Sequence, residues 1–450
     1  MHVHKHSEPL IIDYVAIDQI KGDPRNARMH SEEQLARLEA GIRNLGFNNP
    51  LLLDESDIII GGHARLAAAQ KLGFTSLPCV RLRHLTATQK TALAIGLNRL
   101  SELATWDTDL LGQLLSELSE GDFDAELTGF STAEMDALDC DSIDLAEADP
   151  DDDVPPVVPD AVAVTRLGDK WQLGKHVLMC ADALQPESYV ALLGEDRADL
   201  IFCDAPYGVP NAGHVTGLGK IKHREFVMGG KMSSEDFAAF LTSAYLNMAR
   251  FSTDGSIHFQ CMDWRRLPEI LEAGATAYTE LKNICVWDKR SGGMGSLYRS
   301  QYELVLVFKS GKAPHTNQIQ LGKFGRNRTN LWSYPGLNSF GAGRDTALEM
   351  HPTVKPVGLV ADAIRDCSKR GALVLDPFVG SGTTIMAAER TGRRAAAMEL
   401  DPLYVDVAVR RWLVTKGRSA TLVADGRNFE EVAADRLGEA GDLTPEADHE

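Results

Sequence analysis

Two short apolar runs, far apart in the chain, are each closed by an acid and a set of turn formers. The first reads Asp199-Leu-Ile-Phe-Cys-Asp204-Ala205-Pro206-Tyr207-Gly208. The second reads Ala372-Leu-Val-Leu-Asp376-Pro377-Phe378-Val379-Gly380-Ser381-Gly382-Thr383-Thr384. Runs this short and this apolar are expected of parallel strands buried on both faces. In open α/β sheets, ligands bind beyond the carboxyl ends of the strands. The fold class expected is therefore α/β, with two acidic, loop-bearing strand ends facing one crevice.

The rest of the composition bounds this picture. A chain of 450 residues is too long for one ordinary domain. No apolar stretch is long enough to span a bilayer, and the N-terminal Met-His-Val-His-Lys-His has no signal-peptide core. Seven cysteines occur without a Cys-x-x-Cys pair or a zinc-finger spacing. They read as reduced packing residues, with no metal site, in a cytoplasmic protein that has no membrane partner.

The net charge of −18 speaks against a nucleic-acid partner only until its distribution is seen. Residues 134–160 carry eleven acids and no Lys or Arg, and residues 425–450 carry a balance of −7. These two stretches hold the whole excess, and runs of this kind are expected to be solvated linkers and tails. Leu304 to Arg344 contains no acid but holds Lys309, Lys312, Lys323, Arg326, Arg328 and Arg344, a candidate phosphate-contacting segment. A second basic stretch, His214 to Lys231, carries Lys220, Lys222 and Arg224 and reads either as a loop that closes over a nucleic acid or as an ordinary solvated loop.

Four segments follow: residues 1–135, an acidic Pro-rich linker at 136–160, a large domain at 161–429, and an acidic tail at 430–450. In the first, Ser31 reads as the N-cap of an amphipathic helix with Gln34 three residues on. Leu51–Leu53 and Ile58–Ile60 read as short strands, Leu66–Leu72 as a helix and Leu77–Leu82 as another strand. Leu85–Leu118 reads as a mainly helical extension. Gly61, Gly62, His63 and Arg65 sit at the turn into the first of those later helices, where exposed N–H groups favour anions. The turn reads equally as one that simply docks a helix. The run Ile58-Ile-Ile-Gly61-Gly62-His63-Ala64-Arg65 through Gly73, with Leu77-Pro-Cys-Val80 behind it, resembles the ParB/sulfiredoxin-like domain, a small α+β fold. That resemblance implies a phosphate or nucleotide at this turn. The sulfiredoxin cysteine is replaced by His63, so redox repair is not expected.

In the large segment, the glycines at 380 and 382 let a ligand approach the backbone closely, and a helix is expected from about Thr383. Arg394–Met398 reads as the next strand. Glu399 at its end lies 23 residues after Asp376, a spacing at which an acid binds ribose hydroxyls. The full Gly-x-Gly-x-x-Gly is absent, which favours a nucleoside cofactor without a pyrophosphate. At the other strand end, Asp204 and a carbonyl held by Pro206 can accept the two hydrogens of a flat amine while the Tyr207 ring covers its face. An ordinary strand-ending Asp-Pro turn is the alternative for that tetrad taken alone.

Together these motifs, in this order, resemble an amino-methylating DNA methyltransferase of the permuted β type over residues 165–415. Asp204-Ala205-Pro206-Tyr207 corresponds to the family's catalytic Asp-Pro-Pro-Tyr. Trp171 to Asp182 resembles the opening segment, His351-Pro-Thr-Val-Lys355-Pro356 the segment beside the cofactor, and Asp376 to Thr384 the main cofactor loop. The resemblance implies a Rossmann-like domain that uses S-adenosylmethionine. Its cofactor contacts would be Asp182, Lys355, Asp376, Phe378, Gly380, Gly382, Thr383 and Glu399. Double-stranded DNA is the implied partner, with the target adenine N6 flipped out of the duplex. Lys220, Lys222, Arg224, Lys323, Arg326 and Arg328 are the candidate DNA contacts. A homodimer, and a nucleotide on the N-terminal domain, are compatible with the same reading. Cytosine N4 and RNA stay open as targets. So does a non-catalytic, nucleotide-dependent DNA-binding protein, because Ala205 stands where the family usually has proline.

Overall fold

The computed structural model describes residues 9–120, 123–140, 149–156, 161–207, 232–292, 297–323, 326–336 and 354–441. The chain divides into two compact units, Met1–Asp139 and Cys140–Glu450.

The first unit is a small α+β domain. Its strands are β1 (Ile12–Ala16), β2 (Leu51–Leu53), β3 (Ile59–Gly61) and β4 (Ser76–Arg81), in the order β1-β4-β2-β3. Helix α1 (Glu32–Leu45) starts where Ser31 Oγ accepts the Gln34 N–H, as its sequence signature requires. Helix α2 (His63–Lys71) follows β3 directly through Gly62, whose φ of 110° is a conformation that favours glycine. A Cβ there would come within 2.6 Å of Leu51 Cδ2, so this turn is glycine for steric reasons. Three helices complete the unit: α3 (Ala87–Arg99), α4 (Thr108–Glu120) and α5 (Thr132–Cys140). The expected helical extension therefore continues beyond Leu118. Helix α5, with Asp136 fully buried, occupies the first residues of what the sequence presented as a linker.

The second unit is built on one mixed sheet of ten strands. Along the chain come β5 (Lys170–Leu173), β6 (His176–Cys180), α6 (Pro186–Leu193), β7 (Ala198–Cys203) and α7 (Ser234–Arg250). Next are β8 (Ser252–Met262), α8 (Leu267–Ala277), β9 (Glu280–Asp288), β10 (Tyr302–Lys309) and β11 (Leu331–Ser333). The chain continues with α9 (Val357–Cys367), β12 (Leu373–Asp376), α10 (Thr383–Arg390) and β13 (Arg394–Glu399). It closes with α11 (Pro402–Lys416), β14 (Ala420–Leu422) and α12 (Phe429–Gly441). The sheet order is β11-β9-β10-β8-β7-β12-β13-β6-β5-β14. The central five strands, β8-β7-β12-β13-β6, are mutually parallel. Two apolar clusters cover the two faces, one around Trp171, Trp412 and Leu359, the other around Tyr245, Phe237 and Met398. No described helix is long and apolar enough to cross a membrane.

Both acidic stretches depart from expectation. Asp149–Asp153 is docked on the second unit. Asp149 and Asp151 bind the Arg390 guanidinium, Asp151 also binds Lys416, and its carbonyl accepts from Arg411 at 2.7 Å. Asp152 Oδ1 accepts the Val357 N–H at 2.7 Å, so an acid from a distant segment caps α9. Burial pushes the Asp152 carboxyl up to about 6. At the other end, α12 fills the start of the expected tail. Phe429 packs on Trp171, Val432 is fully buried, and Arg436 pairs with Asp169. Asp149–Asp152 meets Arg390, Arg411 and Lys416 brought from elsewhere, while α12 is anchored by its apolar face and by Arg436 on the distant Asp169, and local charge counting registers neither.

Removing one partner of a buried ion cluster strands the others. Asp151→Ala is expected to destabilise the protein by about 3 kcal/mol in urea unfolding. Exposed Asp153→Ala should change it by less than about 0.5 kcal/mol.

Candidate functional site

The parallel pairing decides where the chemistry lies. Leu375 pairs with Ile201 between β12 and β7, and Asp376 with Ala397 between β12 and β13. Glu399 on β13 pairs with Cys180 on β6. The acids at or just past these strand ends, Asp182, Glu399, Asp376 and Asp204, therefore follow one another along the carboxyl edge of the sheet.

At β12, Asp376 is 3% exposed and both its oxygens are engaged. One accepts the Phe378 N–H at 3.0 Å and the other the Thr384 hydroxyl at 2.5 Å, which ties the loop into a tight turn. Gly382 caps α10 with φ 88°, and a Cβ there would lie 3.0 Å from Ala408 Cβ. Gly380 has φ 52° and open space where a Cβ would stand. Its N–H donates to Glu399 Oε2 at 3.1 Å, while Glu399 Oε1 accepts from Asp401 N at 2.9 Å. Burial pushes Asp376 and Glu399 each up to about 7; the hydrogen bonds oppose the rise, and neighbouring acids add to it. Phe378 packs on Phe240, with ring centroids 5.8 Å apart. Thr383 is buried, and its hydroxyl accepts from Arg411, which also reaches the Ser381 carbonyl at 3.2 Å. Asp182 shapes its own turn by accepting the Leu184 N–H at 2.8 Å. This loop is an acidic, glycine-lined cradle whose residues fit a nucleoside: carboxylate lone pairs for hydroxyls, and a backbone without side chains above it.

At β7, Ala205 is buried in the apolar layer, and Asp204, Pro206 and Tyr207 face partly outward. Lys355 does not reach toward the cradle as expected. Its ammonium, 3% exposed, donates to Asp204 Oδ2 at 2.6 Å and to the Tyr207 hydroxyl at 3.1 Å. It also lies 3.0 Å from Glu303 Oε2. The Tyr207 hydroxyl lies 2.8 Å from Asp204 Oδ1 and 3.1 Å from Glu303 Oε2, and its one proton serves either. Lys289 closes the cluster at Glu303 Oε1, 2.5 Å away. Burial raises the Asp204 carboxyl; the Lys355 charge opposes this and the Glu303 charge adds to it. Burial opposes the charge of Glu303 as well, but Lys355 and Lys289 outweigh it and hold the group at about 2.

Other expected contacts are placed elsewhere. Arg326 is 6% exposed and binds Asp366 at 2.6 Å. Arg328 binds Asp362, Asp366 and Tyr334. Both hold α9 in place and are not presented to DNA, and Leu304–Phe308 is buried strand. The sequence gives each arginine without its partners, because those acids lie 34 or more residues away. Lys323 is exposed at the end of a short turn. Lys220, Lys222, Arg224 and Arg344, and the His351-Pro-Thr353 part of its motif, lie outside the described residues. In the first unit, His63 opens α2, and Arg65 Nη1 donates to the Asn49 and Pro50 carbonyls, so one nitrogen of its guanidinium serves the loop before β2. Glu303, Lys289 and Arg411 were not anticipated. The available signal for Glu303 was an acid standing directly before the apolar run 304–308.

Three segments of the chain match known protein families. Residues 198–410 match a family described as DNA methylase, of the N6/N4 type. Residues 2–99 match the ParB N-terminal domain, and 109–167 the ParB-methyltransferase HTH domain. Residues 198–410 thus form a DNA methylase domain of the N6/N4 type, which uses S-adenosylmethionine, and it is fused to a ParB-like domain at the N-terminal side. The ParB-like nuclease domain-containing protein YnaK of Escherichia coli (strain K12) is 43% identical over 84 residues, 19% of this chain and 97% of YnaK. Type II methyltransferase M2.LlaDCHI of Lactococcus lactis subsp. cremoris is 24% identical over 240 residues, 48% of this chain and 82% of its own. Type II methyltransferase M.ScaI of Streptomyces caespitosus is 33% identical over 102 residues, 22% of this chain, and the match spans only 34% of that relative. Among solved structures, the cytosine-N4-specific PvuII DNA methyltransferase is 17% identical, with a TM-score of 0.42 over 60% of this chain and 94% of its own.

Glu399 ionises more readily in an unfolded chain than in the folded one, so its contribution to stability is full below about pH 4 and is lost as pH rises through about 7. Glu399→Gln is expected to lose about 1–3 kcal/mol less than wild type between pH 4 and 8 in urea unfolding without cofactor. Arg326→Ala should destabilise by about 3 kcal/mol at any DNA concentration; a change in DNA affinity at unchanged stability would restore the phosphate-contact reading.

Proposed function

We propose that this chain methylates the N6 amine of adenine in double-stranded DNA. One observation carries the reading: the Asp204–Tyr207 end of β7 and the Asp376–Thr384 cradle of β12 belong to adjacent parallel strands. A methyl acceptor and a methyl donor can therefore be seated side by side. When bound, S-adenosylmethionine supplies the electrophilic methyl group, and Glu399, Asp376, Gly380 and Asp182 are the residues that would hold it.

The Asp204 carboxylate and the Ala205 carbonyl accept the two amine hydrogens of a base turned out of the duplex, and the Tyr207 ring lies against its face. The change from proline to alanine leaves that carbonyl in place. As the nitrogen lone pair forms the N–C bond and the S–C bond breaks, positive charge grows on nitrogen, and Asp204 stabilises it. The surplus proton then passes to the Asp204 carboxylate. No covalent bond to the protein forms. Holding both reactants together can remove up to about 7–11 kcal/mol of the barrier. Adenine is preferred over cytosine because an aspartate, where cytosine enzymes often have serine, opens the tetrad. That preference is associative.

The N-terminal unit supplies DNA or nucleotide binding and transfers no methyl group. A chain beginning at Cys140 should keep the transfer reaction and bind DNA more weakly; equal affinity would remove this role.

Nucleoside mass spectrometry of unmodified DNA incubated with the protein and S-adenosylmethionine should show N6-methyladenine. Asp204→Ala should lower the rate by at least about a thousandfold. N4-methylcytosine would reverse the choice of base, and cofactor binding with no product on DNA or RNA would favour a regulatory DNA-binding protein.

A further inference from the structure

The proposed tetrad accounts for Asp204, Ala205 and Tyr207. It leaves unexplained why a buried ammonium should sit on the carboxylate meant to receive an amine. We propose that Glu303 and Lys355 form a positioning pair that fixes the Asp204 carboxylate and balances its charge during methyl transfer. This rests on the reading of Asp204 as the group that receives the amine.

The geometry carries the inference. Lys355 has three N–H donors, and three acceptors surround it within 3.1 Å: Asp204, Glu303 and the Tyr207 hydroxyl. The side chains of Lys355 and Glu303 are 3% and 9% exposed, against 23% for Asp204, so Asp204 is the member of the group open to a substrate. With one oxygen held by Lys355 and the other held whenever the Tyr207 proton turns to it, the Asp204 carboxylate plane is set, and each oxygen keeps a lone pair for an incoming N–H.

The charges make Glu303 necessary. A buried lysine facing Asp204 alone would draw the carboxylate's charge to itself and repel the positive charge that grows on the amine. Glu303 shares that ammonium, and Lys289, at the more exposed end, satisfies the second Glu303 oxygen. Glu303 reaches the site from β10, opposite Trp287 on β9, so neither partner of the pair lies on the strand it serves. The groups facing Asp204 are Lys355, Glu303, Tyr207, the Cys203 and Cys261 thiols, and Asp376 across the edge. Burial keeps both thiols neutral, and Tyr207 is likewise held far above its usual range. The charges left to tune Asp204 are those of Lys355, Glu303 and Asp376.

The test is the acid limb of the pH–kcat profile, measured in the full chain with near-isosteric variants. Glu303→Gln removes a negative charge, so Asp204 ionises at lower pH and the limb should move down by about one unit. Lys355→Met removes the positive charge, so the limb should move up by about one unit or more. Glu303→Asp, which keeps the charge, should hold the limb near its wild-type position. KM for S-adenosylmethionine should stay within about twofold in all three, because neither residue has a polar contact to the Asp376 loop or Glu399. A role confined to stability predicts lower yield or a lower unfolding midpoint with unmoved limbs, or limbs moving the same way, and either result overturns the positioning pair. If Lys355→Met does not fold, Glu303→Gln decides alone: a limb that stays or rises overturns the proposal. Absence of methyl transfer by the wild-type chain to either base would instead overturn the function it rests on, and the pair's role with it.

Discussion

The structure depends on the parallel hydrogen bonding of β7, β12 and β13. Each of these strands is buried on both faces, so none can shift register without exposing apolar side chains or burying its terminal acid deeper. The register of Leu375 with Ile201 and of Asp376 with Ala397 therefore sets the separation of the two halves of the site. Everything chemical is attached to the ends of these strands. Asp376 and Glu399 are tied to backbone N–H groups of their own or neighbouring turns, and Asp204 is held by the Lys355 and Tyr207 side chains.

Charge is handled in this chain by pairing across long sequence distances. Arg326 and Arg328 close on Asp362 and Asp366, Arg390 and Arg411 meet the Asp149–Asp152 segment, and Lys355 stands between Asp204 and Glu303. Such clusters gain little net stability over apolar packing, but a wrong arrangement leaves a charge buried and unpaired. They specify arrangement. The Asp149–Asp152 segment shows this: it meets Arg411, which holds the Ser381 carbonyl of the cradle, and it caps α9, which begins two residues after Lys355. One acidic peptide thus braces both halves of the candidate site.

Much of the site was legible because strands with buried faces and acidic ends announce themselves locally. Asp204, Asp376 and Glu399 stand at strand ends as read, Gly382 caps a helix near the expected start, and the Ser31 cap forms with Gln34. The readings that failed concern charge. Arg326 and Arg328 looked like DNA contacts because a window from 304 to 344 contains no acid, yet their acids arrive from α9. Asp149–Asp152 looked solvated for the mirror-image reason, and Phe429–Gly441 because its acids outnumber the few apolar residues that dock it.

The sequence by itself determined the strands that carry Asp204, Asp376 and Glu399, the order of the motifs along the chain and the residue types at those strand ends. These follow from local periodicity and turn chemistry, which act over a few residues. Tertiary structure alone decided which charges meet. Lys355 is joined to Asp204 across 151 positions, and the acidic segment to Arg390 across about 240. Coulomb attraction depends on distance in space, and only the folded sheet sets that distance.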